Sequence, residues 1–374
     1  MDFEFTDEQL ALRENARAVL ASTCPPQVVR AVYEGRDGAD ALWSALVDLD
    51  WPAIGVSEES GGLGLSFIEV GIVVEELGRV VAPSPFLATV TQLAPLLRQA
   101  GSESWLARVA EGSCTGTLAV AERGLWQADA TTTTARRDGE SWILTGEKSH
   151  VFDGATADEI AVIARLEGTK GAEGLGAFLL PAASVGASPV TVIDPTMPLA
   201  TLSLDAIEVT GDRVLLEPGD PRAGSAIERT LQEATTAIAL STTATCRAIF
   251  ETTLEYAKDR EQFGRPIGSF QALKHRLADM YLSVERATSL AYFAALTIAE
   301  DDDRKAVATS MAKAAAGDCQ RLVAGDGLQL HGGIGFTWEH DLHFLLKRAK
   351  SGDLLFGTAG AHRAELARLL GIAA

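Results

Sequence analysis

Two short stretches hold the side chains best suited to chemistry. In DREQFGRPIGSFQ, residues 259–271, Arg260 supplies a fixed cation, Gln262 and Gln271 two-way hydrogen bonders, and Phe263 and Phe270 stacking faces. A guanidinium beside amides and rings suits a flat, phosphate-bearing ligand, because its fork of donors matches phosphate oxygens. In QLHGGIGFTWEH, residues 329–340, Gln329 precedes Gly332 and Gly333. Glycine lets backbone approach a ligand closely, although a helix C-cap accounts for the same residues. His331, His340 and His343 have no acidic or cysteine partner in a zinc-like pattern, so no metal is expected.

These stretches need elements to position them. Thr6, with Gln9 three residues later, reads as a capping box for a helix over 6–22, and apolar stripes at helical spacing continue to about residue 112. From Thr117 to about Val214 the texture changes to short β-branched runs between turn signals: TLAVAE, TTTTARR, SWILTG, EIAVIAR, GAFLLP and TLSLDAIEV. LLEPGDPRAGS, residues 215–225, reads as a linker. Helical spacing then returns from Ile227 to Tyr256 and in blocks near 270–299, 304–330 and 359–369. The fold class is α+β and multidomain, with a helical domain over 1–115, a central antiparallel β-domain over 116–218 and a C-terminal four-helix bundle over 219–374.

Composition narrows the function. The chain of 374 residues has 32 Lys+Arg against 51 Asp+Glu, a net charge of -19 that repels a nucleic-acid backbone. No segment approaches the roughly 18 apolar residues of a membrane span. The first residues lack a basic start followed by an apolar block, so a cytoplasmic protein is expected. Cys24, Cys114, Cys246 and Cys319 are far apart and read as four buried thiols.

Arg260, Phe263, Gly264, Ile267, Phe270 and Gln271 fall at the spacing Arg-x-x-Phe-Gly-x-x-Ile-x-x-Phe-Gln. Together with EFTDEQLALRENAR, SEESGGLGLS at 57–66, the central β-domain and QLHGGIGF, they make the chain resemble the acyl-CoA dehydrogenase family along nearly its whole length. The resemblance implies FAD, bound by two segments from neighbouring subunits. Arg260 and Gln262 would meet the pyrophosphate and ribitol, Phe263, Phe270 and Gln271 the adenosine side, and Gln329, Gly332 and Gly333 the partner chain's dinucleotide, with Thr358 a further cofactor contact. It also implies an acyl-CoA substrate oxidised between Cα and Cβ, a Glu removing the α-proton while hydride goes to the flavin.

The family's Glu does not appear where the resemblance places it. The usual position precedes Gly-Thr near the C-terminus, and here it is Phe356, before Gly357 and Thr358. The second position, 26 residues before Arg260, is Ala234. Glu233 beside it is a catalytic candidate, but one helical residue turns a side chain by roughly 100°, and its ordinary reading is a solvated helix glutamate. In the β-domain, His150 stands where the family has Trp and Phe152 where it has Thr. These gaps resemble the base-lacking subunit of actinobacterial α2β2 acyl-CoA dehydrogenases that act on bulky CoA thioesters such as steroid side chains. That branch implies a homologous base-carrying partner. A structural or regulatory subunit, a same-fold flavin monooxygenase and a self-associating dehydrogenase remain open alternatives.

Overall fold

The first helix begins where its cap predicts. The Thr6 hydroxyl accepts the Gln9 N–H at 3.2 Å and the Gln9 side-chain oxygen accepts the Thr6 N–H at 3.1 Å, closing a capping box ahead of the Asp7–Thr23 helix. This computed structural model describes residues 4–36 and 39–372. By internal contacts the chain forms two units: residues 1–39, 67–83 and 235–374 in one, 40–66 and 84–234 in the other. The amino-terminal helices are shared between them, so they make no separate contact unit of their own.

The first unit is helical. It holds Asp7–Thr23, Pro26–Tyr33, Phe67–Arg79, the Ala223–Asp259 helix from residue 235, Gln271–Ala299, Lys305–His331, Leu342–Leu354 and Ala359–Leu369. Leu342–Leu354 was not among the blocks read from the sequence; its buried residues include Arg348 and Asp353, which break an apolar stripe. The core packs Cys246, Ile249, Met280, Val284, Ala287, Cys319 and Val323 from three long helices. Small residues bring backbones together: a Cβ on Gly78 would lie 2.6 Å from the Ser241 carbonyl oxygen, and the Thr245 hydroxyl donates to the Gly78 carbonyl at 2.8 Å. The Asp7–Thr23 helix is held by Arg13 to Glu75 at 3.1 Å and Arg17 to Glu76 at 2.7 Å.

The second unit centres on eight strands: β1 Gly116–Ala119, β2 Thr134–Asp138, β3 Ser141–Phe152, β4 Glu159–Leu166, β5 Leu175–Pro181, β6 Gly186–Val190, β7 Leu199–Val209 and β8 Val214–Leu216. Their order is β6-β7-β3-β2-β4-β5-β8, with β1 beside β4. The expectation of an antiparallel sheet is corrected to a mixed one, since β1 and β2 both pair parallel to β4. Hairpin connections between neighbours in sequence gave the antiparallel expectation, whereas β1 and β2 reach β4 by longer crossovers. The stretch read as a linker supplies β8, and the helix after it starts at Ala223. Trp142 and Phe178 meet edge-to-face inside the sheet, ring centroids 6.0 Å apart.

One buried ion pair joins the loop after β1 to β3. Lys148, wholly buried, donates to Glu122 at 2.6 Å, and Glu122 also accepts the backbone and hydroxyl donors of Thr132 and Thr133. Burial alone would raise the Glu122 carboxyl, but Lys148 and these hydrogen bonds outweigh it and hold it down to about 2. Burial likewise pushes Lys148 down to about 8, with Glu122 opposing. At neutral pH the two shifts offset one another, as a desolvated pair should. In acid only the carboxylate matters: its contribution is full above about 4.5 and is lost as pH falls through about 2. We expect urea unfolding of the wild type to lose on the order of 3 kcal/mol more than Glu122→Gln between pH 5 and 2. Parallel losses would show that the pair is not ionised.

Candidate cofactor and acyl-CoA site

At the end of the Ala223–Asp259 helix the Arg260 N–H still reaches the Tyr256 carbonyl at 2.9 Å, and the chain then reverses in a two-stranded hairpin. Gln262 pairs with Arg265 and Glu261 with Pro266 around Phe263-Gly264, whose φ angles are 57° and 75°. Two successive left-handed residues match the right-handed twist of a tight hairpin, but only the second is glycine. The left-handed Phe263 turns its ring outward: it is 91% exposed and touches Phe270 edge-on at 6.1 Å. The Arg265 guanidinium lies 4.2 Å over the Phe270 ring. Arg260 is exposed and, among the described residues, its guanidinium has no carboxylate partner. Gln271 is also exposed, and Gln262 bonds only its neighbour's carbonyl at 2.8 Å. Behind the hairpin lies an open cleft of about 460 Å³ lined by Leu254, Ala257, Lys258, Pro266, Gly268, Lys274 and Leu277.

The glycine stretch is placed beside it. His331 ends the Lys305–His331 helix, its ring stacked on Tyr256 at 4.4 Å and its Nδ1 bonded to the Gly327 carbonyl at 2.8 Å. Burial lowers its pKa, the Gly327 bond opposing and His340 adding. Tyr256 and His331 thus bring Arg260 and Gly332 to one end of this bundle. Gly332 has φ 62°, and a Cβ on Gly332 or Gly333 would meet nothing within 4 Å. Gly335 differs, since a Cβ there would lie 3.1 Å from both the His331 and Leu328 side chains. Gln329 is exposed. No group of three His, Cys, Asp or Glu that could hold a metal occurs among the described residues, and all four cysteines are buried and free.

Thr358 lies elsewhere. It caps the Ala359–Leu369 helix, accepting the Ala361 N–H at 3.4 Å, and Gly357 before it is bonded to Lys313. Lys313 is on the same helix as His331, and a separation of 18 residues corresponds to roughly 27 Å at 1.5 Å per residue. Within one chain the proposed cofactor contacts therefore form two groups towards opposite ends of one helix. Phe356, at the carboxylate position, is buried with φ 55°.

Glu233 is not the solvated glutamate read from sequence. It is 1% exposed, both carboxylate oxygens accept Arg98 Nη2 at 2.7 Å, and one accepts Arg229 Nε at 3.0 Å. Arg229, four residues earlier, was a visible signal for this; Arg98, 135 residues away, was not. Ala234 is buried beside it. In the sheet unit His150 is exposed with φ 54°, and Phe152 is buried, its carbonyl accepting the Thr117 hydroxyl at 2.5 Å. Sequence reading also passed over Gln92, whose side-chain nitrogen is buried without a partner inside the five-residue π-helix Thr89–Leu93.

Family models match in order along the chain: the acyl-CoA dehydrogenase N-terminal domain over residues 6–117, the middle domain over 119–213 and the C-terminal domain over 224–371. The chain is 32% identical over 348 residues to the acyl-CoA dehydrogenase IpdE2 of Mycobacterium tuberculosis, covering 92% of this chain and 91% of that one. Its fold is similar to a chain of the ChsE4–ChsE5 complex from Mycobacterium tuberculosis, with a TM-score of 0.89, 25% identity and 100% of both chains covered. A chain of the Tcur3481–Tcur3483 steroid ACAD matches with a TM-score of 0.87, 29% identity and 98% of both covered. This chain belongs to the acyl-CoA dehydrogenase family, a family of flavin oxidoreductases whose cofactor is FAD. No helix among the described residues is long and apolar enough to cross a membrane.

These residues suit a phosphate-bearing cofactor such as FAD, since Gly332 and Gly333 are open where a Cβ would stand and the exposed Arg260 guanidinium has no carboxylate partner among the described residues. In the sheet unit, position 152, which the resemblance links to the flavin, presents a buried phenyl ring and no hydroxyl. If Glu233 is structural, Glu233→Gln leaves turnover of the assembled enzyme, measured together with any partner subunit it requires, within about twofold and lowers stability by about 1–3 kcal/mol, discounted because Arg98 is over a third exposed. Steady-state kinetics beside urea melts check this; a drop in turnover of about a thousandfold with stability intact would make Glu233 the base.

Proposed function

We propose that this chain is a subunit of an FAD-dependent acyl-CoA dehydrogenase that oxidises a CoA thioester to the trans-2-enoyl-CoA, with the catalytic carboxylate supplied by a homologous partner subunit. The observation that carries the reading is the chemistry of three positions: a buried phenyl ring at 356, a methyl group at 234, and at 233 a carboxylate whose lone pairs are occupied by two guanidinium groups. A general base needs an accessible lone pair on the substrate's α-proton, which none of these offers.

In this reading Arg260 binds the pyrophosphate, and the Phe263 and Phe270 rings flank the adenosine with Gln271 at its edge. Gln262 bonds the ribitol side. Gln329, Gly332 and Gly333 line the dinucleotide that the partner chain also holds, and Thr358 meets cofactor at the other end. FAD, when bound, supplies the hydride acceptor. The similarity to chains of the ChsE4–ChsE5 complex and the Tcur3481–Tcur3483 steroid ACAD supports a heteromer and a bulky, steroid-like acyl group.

The test is expression of the chain alone and together with a base-carrying homologue from the same cell. The expected result is little flavin absorbance and no turnover alone, with both appearing in the complex. Yellow, active homomers would reject the reading, and a complex without flavin would make the chain a structural subunit. In the complex, Arg260→Ala should weaken flavin retention about tenfold or more, the scale of one charge-assisted phosphate contact. Equilibrium dialysis against FAD measures it, and unchanged retention would remove Arg260 from the site.

A further inference from the structure

Beneath the turn that carries Phe356 and Thr358 lies a polar cluster that the proposed function leaves unused. Lys313 is wholly buried in the Ala-rich Lys305–His331 helix, yet its Nζ donates to two backbone carbonyls, Asp353 at 2.9 Å and Gly357 at 2.7 Å. His362 from the Ala359–Leu369 helix adds a third contact, its Nε2 lying 2.9 Å from the Phe356 carbonyl, which places the ring proton on that nitrogen. Its Nδ1 is 3.4 Å from the Ser310 hydroxyl. Burying an ammonium carries a desolvation cost, and an apolar side chain of the same length would fill the space without it. What the ammonium adds is donors aimed at carbonyls.

Those carbonyls belong to a turn that would not hold its form unaided. Phe356 has φ 55° and Gly357 φ 100°, two successive left-handed residues of which the first is bulky and disfavoured there. We propose that Lys313 and His362 are positioning residues: by drawing in the carbonyls of Asp353, Phe356 and Gly357 they fix the turn that sets residue 356 and Thr358 against cofactor and substrate. The inference rests on the proposed function for what the turn faces, but the clamp itself does not.

The electrostatics agree. Burial pushes Lys313 down to about 7, Asp353 opposing and Lys350 adding. Burial also takes His362 down to about 4, the Phe356 carbonyl opposing, Lys313 adding and Glu365 opposing, so the ring is neutral at ordinary pH. Asp353 faces the cluster with its carboxylate too: one oxygen bonds Lys350 at 2.8 Å, and the other is buried without a hydrogen bond where a Cβ on Gly317 would lie 2.5 Å away. A neutral amine keeps two N–H donors, so both carbonyl bonds survive deprotonation but lose charge assistance.

Hydrogen exchange of the peptide spanning 353–360 in Lys313→Met and in His362→Phe tests the clamp, with or without flavin. Exchange there should quicken about tenfold or more in either variant, against little change elsewhere. In the heteromeric holoenzyme, FAD affinity of the wild type should weaken as pH rises through about 7, and Lys313→Met should bind FAD more weakly with that step abolished. Unchanged exchange in both variants overturns the clamp. Faster exchange with FAD affinity and its pH profile unchanged overturns the turn's role at the cofactor, and if Lys313→Met does not fold, His362→Phe alone decides. A wild-type complex that binds no FAD counts against the proposed function, and the exchange result then stands by itself.

Discussion

A carboxylate can take a proton from carbon only while a lone pair is accessible and not already committed to a stronger donor. Three buried glutamates fail that condition because donors occupy them: Glu233 is held by Arg98 and Arg229, Glu122 by Lys148 and two threonines, Glu75 by Arg13 and Tyr292. The same pairing that makes burial tolerable removes these groups from chemistry. A family carboxylate must therefore stand at a position the fold keeps open. At the two positions where the family resemblance places it, this chain holds Phe356 and Ala234, and Glu233 beside the second is occupied by Arg98 and Arg229.

Buried cations do the complementary work on the backbone. Arg165 donates to the carbonyls of Thr131 at 2.5 Å, Asp129 at 3.0 Å and Gly171 at 2.5 Å, fixing the segment that follows Glu122. Arg348 bonds the Ala82 carbonyl at 3.0 Å, and Lys313 holds the turn at 353–357. None of these is a surface ion pair of small worth; each spends desolvation to settle where a loop lies. Loops are where a site can lose its form, and charge is placed here under the loops in preference to the regular elements.

What could be read from sequence was local. The Thr6–Gln9 box, the strand character of SWILTG and EIAVIAR and the helix end before Gly332 depend on residues within a few positions of one another, and they lie where they were expected. The domain texture was legible for the same reason. What escaped was set by contacts across long separations. Lys148 meets Glu122 26 residues away, Lys313 meets Gly357 44 residues away, and the parallel pairing of β1 with β4 requires a crossover that no dipeptide signals. A lysine in AVATSMAKAAAGD reads as solvent-facing, because periodicity alone does not say which side of an Ala-rich helix is covered.

The distribution of exposed groups bears on how many chains one site needs. Phe263 is nearly bare, Arg260 lacks a carboxylate partner among the described residues, and Phe336 and Ile334 beside the glycines are 76% and 44% exposed. Large rings held out in water from a strained turn cost free energy in an isolated chain, so their form makes sense against something that covers them. At the same time the turn that carries Phe356 and Thr358 is tied through Gly357 to Lys313, roughly 27 Å along the Lys305–His331 helix from His331. A single cofactor touching both groups in one chain would have to run the length of that helix. Under the proposed function two chains would meet the requirement more simply, each lending its hairpin end to a cofactor whose reactive end would lie by a turn such as 356–358. On that proposal the subunits need not be alike, because a turn without a carboxylate would leave the hairpin's contribution to the other site intact.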